Sequence, residues 1–179
     1  MIFVTVGTQL PFDRLVVEVD AWASRQHGRR VVAQIGPTAL KPRNIDCRDF
    51  ISPAECRELM SSARAIVGHA GMGTILTALE LGKPILVVPR RAALGEHRND
   101  HQLATARRFA ALPGVSVAFD ESELPGKLDE LDHLAAQHRI GRYAPDGFVA
   151  ALRAFIEGRP VGVPVQTAAP SASARMLTP

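Results

Sequence analysis

The chain has 179 residues, 46% of them apolar, which is enough for one sizeable core, and its longest apolar runs, such as "ILVVP" at 85–89, fall far short of the roughly 20 residues of a membrane span. Its two cysteines, Cys47 and Cys56, form no CxxC pair; this excludes a cysteine-built zinc site and suggests a reducing, cytosolic setting. The net charge of +3 is mild, and the Arg pairs at 29–30, 90–91 and 107–108 lack interleaved aromatics, so nucleic acid is set aside and an anionic ligand or membrane surface stays open beside a plain solvated surface.

"IFVTV" at 2–6 reads as a buried strand ending at Gly7. After the loop "GTQLPFD", the apolar positions Leu15, Val16, Val19 and Trp22 follow helical spacing, with Asp13 as the expected N-cap. "RRVVAQIG" (29–36) is a second strand, and "KPRNIDCRDFIS" is loop with a short strand. Ser52, Pro53 and Glu55 form a capping-box pattern that opens a helix ending near Ser61–Ser62. "AIVGHAG" (65–71) is a strand running into a glycine loop, followed by a helix over 73–81 that stops at Gly82. "PILVVP" (84–89) is a strand, and "RRAALGEHRND" is a long polar loop. A helix at about 99–111, a strand at 115–119 and helices at about 122–137 and 146–157 complete a domain over 1–158. Residues 159–179, rich in Pro, Ala and Ser, read as a disordered tail.

This alternation predicts an α/β fold, a doubly wound, Rossmann-like parallel sheet. Such sheets bind ligands beyond the carboxyl ends of their strands, where loops 7–13, 34–37, 68–74 and 89–101 all fall. Gly71, Met72, Gly73 and Thr74 stand between a strand and a helix. Unpaired N–H groups and the helix dipole favour an anion there, and glycine lets a phosphate or diphosphate approach. Thr74 has a hydroxyl suited to capping the helix or bonding a phosphate oxygen; a tight turn that merely needs small residues explains the same glycines. A P-loop is excluded, because Thr74 and Ile75 stand where Lys and Ser/Thr belong. The GxGxxG fingerprint fails at Leu76, although Arg90 and Arg91 keep an NADP-like reading open.

"VTVGTQLPFDRLV", "RDFI", "GHAGMGTILTALELGKPILVVPR" and "NDHQLATA" together resemble the C-terminal, nucleotide-sugar-binding domain of glycosyltransferase family 28, over about residues 2–120. The short PssE-like subunits of bacterial exopolysaccharide synthesis are most similar; the small subunit of the split eukaryotic dolichol-linked N-acetylglucosamine transferase also looks similar. The resemblance implies a single GT-B half-domain that binds a UDP-sugar without a metal or other cofactor. By that likeness Gly7, Thr8 and Gln9 face the diphosphate, Phe50 and Ile51 hold uracil, Gly71, Met72, Gly73 and Thr74 cradle the diphosphate, and Asp100, His101 and Gln102 read the sugar hydroxyls. One departure concerns the ribose: family members commonly carry a glutamate where this chain has Thr77, and Glu80 lies one turn further along.

Inverting transfer needs a base for the acceptor hydroxyl. His69, His97 and His101 are the candidates here; His69 reads as a packed loop histidine and His101 as the best of the three. In the family the base lies on the other GT-B half. The chain begins at the first strand of the donor half, so a heteromer is expected, with a PssD-like, membrane-associated partner bringing the base and a lipid-linked glycan acceptor. That arrangement implies a cytoplasmic subunit held at the inner face of the plasma membrane. The likeness also points to glucuronic acid as the sugar, with Arg90 or Arg91 pairing its carboxylate. A non-catalytic nucleotide-binding or regulatory module is the alternative.

Overall fold

The computed structural model describes residues 1–26, 28–134, 139–141 and 143–160. The chain divides into two compact units, Met1–Ile140 and Gly141–Pro179. In the second, the described structure is one helix, α6 (Asp146–Ile156), none of whose residues is buried. The tail expected to be disordered falls at 161–179 outside the described residues.

The first unit is a six-stranded parallel sheet made of β1 (Ile2–Thr5), β2 (Val31–Gln34), β3 (Asp46–Arg48), β4 (Ala65–His69), β5 (Ile85–Val88) and β6 (Val115–Val117). Their order across the sheet is β3-β2-β1-β4-β5-β6, and every pairing is parallel. The doubly wound fold expected from the sequence is therefore present. The order reverses between β1 and β4, where Thr5 pairs with Gly68, so a crevice opens at the carboxyl ends of those two strands.

Both faces of the sheet are covered, which explains why the strands read as continuous apolar runs. Ile2 and Val4 face a cluster with Leu15, Val19 and Trp22 of α1 (Asp13–Ala23) and Leu124 and Leu128 of α5 (Leu124–Asp129). Phe3 and Ile66 face the other cluster, with Met60 of α2 (Pro53–Ser62), Ile75 and Ala78 of α3 (Met72–Leu81) and Ala106 of α4 (His101–Phe109).

Three local expectations need correction. Asp13 is the first helical residue rather than the N-cap of α1; Phe12, whose ring is buried in the core, takes the cap position and has no side-chain acceptor to make a cap bond. The helix expected over 122–137 is a 3₁₀ turn (Glu121–Glu123), α5 and a second 3₁₀ turn (Glu130–Asp132), with 135–138 outside the described residues. The buried Leu124, Leu128 and Leu131 produced the helical spacing. Thr74 does not cap α3; Gly71 is its N-cap, with no side-chain bond. Among the described residues, no helix is long and apolar enough to cross a membrane.

Candidate functional site

A cavity of about 930 Å³ occupies the crevice at the β1/β4 reversal. One wall is the first loop, Gly7 to Leu10, and another is Gly71, Gly73 and Thr74 at the start of α3. Phe50, Ile51, Pro53 and Cys56 close one end, and His97, Arg98, His101 and Gln102 the other, with His69, Gln34 and Arg90 at the base.

Each wall has a local cause. Gly7 takes φ +77, a conformation that L side chains rarely adopt, so the chain turns sharply out of β1. Its N–H donates to Thr5 Oγ1 at 3.2 Å, and its carbonyl accepts from Gln34 Nε2 at 3.0 Å. Gln34 also donates to the Asp49 carbonyl at 3.1 Å and accepts from Thr5 Oγ1 at 2.7 Å. This buried amide ties the first loop to the chain that leads into Phe50.

The glycines of the second wall differ in their reasons. A Cβ on Gly71 would overlap the His69 ring, and a Cβ on Gly7 would come within 2.7 Å of it. Gly7 and Gly71 thus make room for an imidazole packed between the two loops. A Cβ on Gly73 would meet nothing within 4 Å, and Gly73 is exposed into the cavity. Because no side chain caps α3, its first-turn N–H groups and the positive end of its dipole face this open space.

The cations are arranged unequally. Arg90 is 2% exposed, and its guanidinium donates to the carbonyls of Val6 (2.7 Å), Leu10 (2.5 Å), Pro11 (2.7 Å) and Glu96 (3.1 Å). Arg91 donates to the Phe119 carbonyl and to Asp120 Oδ2 at 3.0 Å. The Arg90 guanidinium is taken up by carbonyls, and Arg91, paired with Asp120, is not part of the cavity wall, so neither matches the expected partner for a sugar carboxylate or a nucleotide 2′-phosphate. Arg98 lines the cavity and forms no ion pair among the described residues. The rings of His97 and His101 meet edge to face with centroids 4.4 Å apart. Slight desolvation, then the neighbouring His101, Arg90 and Arg98 charges, lower the pKa of His97.

His69 is pushed down to about 4, first by burial and then by the Arg90 charge, and its Nδ1 is buried without a hydrogen-bond partner. The ring is therefore neutral at pH 7 and wedged in place. Burial also raises the Cys56 thiol, which weighs against a reactive thiolate in the cavity wall.

Of the residues the sequence pointed to, Gly7, Thr8, Gln9, Phe50, Ile51, His69, Gly71, Gly73, Thr74, Arg90, His101 and Gln102 come together on this cavity. Met72, Thr77 and Asp100 are not part of its wall. The Met72 side chain is exposed, and Asp100 accepts the Ala92 N–H at 2.8 Å, which secures the 92–100 loop. Glu80 is paired with Arg57 at 3.6 Å, across α2 and α3. Gln34 and Arg98 fall in the loops 34–37 and 89–101 that the sequence placed at the site, without being singled out, and Cys56 was missed; a polar residue after three apolar ones in β2 was the available signal for Gln34.

Residues 1–139 match the glycosyltransferase family 28 C-terminal domain. The chain is 32% identical over 118 residues to the human UDP-N-acetylglucosamine transferase subunit ALG13, covering 60% of this chain and 10% of that protein. It is 42% identical over 92 residues to the subunit of the same name from Eremothecium gossypii, covering 50% of this chain and 43% of that protein. It thus spans less than half the length of these curated relatives. Among solved structures, the solution structure of ALG13 matches with a TM-score of 0.54 at 19% identity, over 84% of this chain and 93% of that one. MurG of Acinetobacter baumannii matches with a TM-score of 0.56 at 20% identity, over 75% of this chain and 42% of that one.

Proposed function

The chain belongs to the glycosyltransferase family 28 C-terminal domain family, and on that premise we propose that it is the donor-binding subunit of a two-component, inverting glycosyltransferase that uses a UDP-sugar. The observation that carries this reading is the open space at Gly73, at the uncapped start of α3 and across from the first loop. A diphosphate placed there meets unpaired N–H groups and a helix dipole, which stabilise the charge that grows on the leaving group during transfer. Phe50 and Ile51 stand at one end of the cavity, suited to the uracil, and His101 and Gln102 at the other, suited to the sugar. The reading needs no metal, since this donor set acts on the diphosphate directly.

The general base is proposed to come from a partner. His69 is buried and weakly basic, which suits a packing role. The relatives are named as transferase subunits, which supports a second chain bringing base and acceptor. A PssD-like, membrane-associated partner with a lipid-linked acceptor in exopolysaccharide synthesis extends the same reading. N-acetylglucosamine is the sugar that the relatives' names favour. One observation favours an acidic sugar such as glucuronic acid instead: Arg98 is a cavity guanidinium without an ion pair among the described residues.

Calorimetric titration with UDP, UDP-N-acetylglucosamine, UDP-glucuronate and NADPH tests the reading, using the wild type and Gly73→Asp. The variant places a carboxylate in open space, so its melting temperature stays within about 2 °C of the wild type, while UDP affinity falls at least about 100-fold. Equal UDP affinity in the folded variant would place the diphosphate elsewhere. Sugar transfer on adding the partner separates the enzyme from a regulatory nucleotide-binding module.

A further inference from the structure

We propose that Arg90 is a positioning residue that sets the gap between the two phosphate-facing loops; the proposal rests on the nucleotide-sugar reading of the cavity. Three of the four carbonyls that receive its guanidinium, those of Val6, Leu10 and Pro11, belong to the first loop, 79–84 residues away in sequence. The middle of that loop has little else to hold it. Thr8, Gln9, Leu10 and Pro11 are exposed, the Thr5 and Gln34 bonds and the His69 ring secure Gly7 at its start, and the buried Phe12 anchors its end. The Phe12 ring just beyond stacks under the same guanidinium, 4.7 Å from centroid to Cζ.

Arg90 is rooted in the other wall. Its backbone N–H donates to Gln102 Oε1 at 3.1 Å, and the same oxygen accepts the Ala70 N–H at 3.2 Å, next to Gly71. A continuous path therefore runs from Leu10 through Arg90 and Gln102 to Ala70 and the start of α3. Glu96 completes it from outside: Arg14 grips the Glu96 carboxylate at 2.9 and 3.0 Å and the Arg91 N–H adds a bond at 2.9 Å, which leaves the Glu96 carbonyl aligned on Arg90.

Only an arginine makes this path. Its planar fork distributes donors over four acceptors, whereas a lysine ammonium has three donors on one atom. Charge and geometry are thereby separable: Arg90→Lys keeps the cation and loses the span.

The test compares wild type, Arg90→Lys and Arg14→Met by 15N relaxation of the backbone amides without ligand, and by NMR titration with UDP and with uridine. In Arg90→Lys, the order parameters of the Thr8–Leu10 amides fall by at least about 0.2 while those of β4 and β5 are unchanged. UDP affinity falls about tenfold, and uridine affinity, which does not use the gap between the loops, stays within about twofold. Arg14→Met, which removes one of the two holds on the Glu96 carboxylate but keeps Arg90, gives the same pattern at smaller amplitude. If Arg90→Lys fails to fold, Arg14→Met decides. Unchanged loop order parameters in the folded variants, or equal losses for UDP and uridine, overturn the proposal. If the wild type binds neither ligand, the nucleotide reading fails, and the relaxation result still decides whether Arg90 holds the loop.

Discussion

At the scale of single residues, His69 shows how packing and ligand demands overlap. Both Gly7 and Gly71 are shaped to its ring, while Gly73 is open to the cavity. The ring is neutral because protonation would leave a charge buried beside Arg90. Its folded pKa of about 4 lies below the ordinary value near 6.5. The unfolded chain thus binds more protons in that window, and stability rises with pH. The contribution is fully present above about pH 6.5 and is lost as pH falls towards 4, amounting to about 3 kcal/mol. Urea unfolding of wild type and His69→Gln across this range should give curves that converge as pH falls; parallel curves would mean that His69 titrates normally. The motif "GHAGMGT" made the loop legible in the sequence, but not the division of labour among its glycines. That division depends on where one ring folds back. Arg90 was misread for a related reason. A cation at a strand end suggests an anion, and its true acceptors are backbone carbonyls about 80 residues away, which leave no mark in local sequence.

At the scale of elements, α2 was the most legible. Ser52 Oγ accepts the Glu55 N–H at 3.1 Å, and Pro53 occupies the first turn, as the capping pattern required. The reciprocal half of the capping box does not form among the described residues, because Glu55 pairs with Arg48 on β3. Ser52→Ala should therefore cost about 1 kcal/mol in denaturant unfolding. Glu55→Ala should cost less than about 0.5 kcal/mol, since its ion pair is well exposed. Equal costs would indicate a full capping box in solution. Strand positions were also legible, because runs of two-sided burial contain little but Val, Ile and Ala. Helix continuity after β6 was not: the leucine spacing survives across the 3₁₀ turns on either side of α5.

At the scale of the whole molecule, both buried clusters and every wall of the cavity belong to Met1–Ile140. The family match ends one residue earlier, at 139. A chain truncated after Ile140 should keep cooperative unfolding, with a melting temperature within about 5 °C of the full chain and the same UDP affinity. Loss of cooperativity, seen by calorimetry, would show that the second unit is needed for the fold. The reversal of strand order was foreseeable from the βαβ alternation, as was the side of the sheet on which ligands gather. The depth of the cavity was not, because it depends on how far the first loop stands from α3.

The wedge of His69 between Gly7 and Gly71 also bears on timing. Because the two loops meet through a ring that is already buried, their ordering belongs to folding rather than to ligand capture. On the proposed reading, a diphosphate that binds here finds its donors already in place between these walls. Entry to the cavity is then governed by diffusion and by attraction to the positive start of α3, and the lifetime of the complex by how many of those prearranged donors the ligand engages.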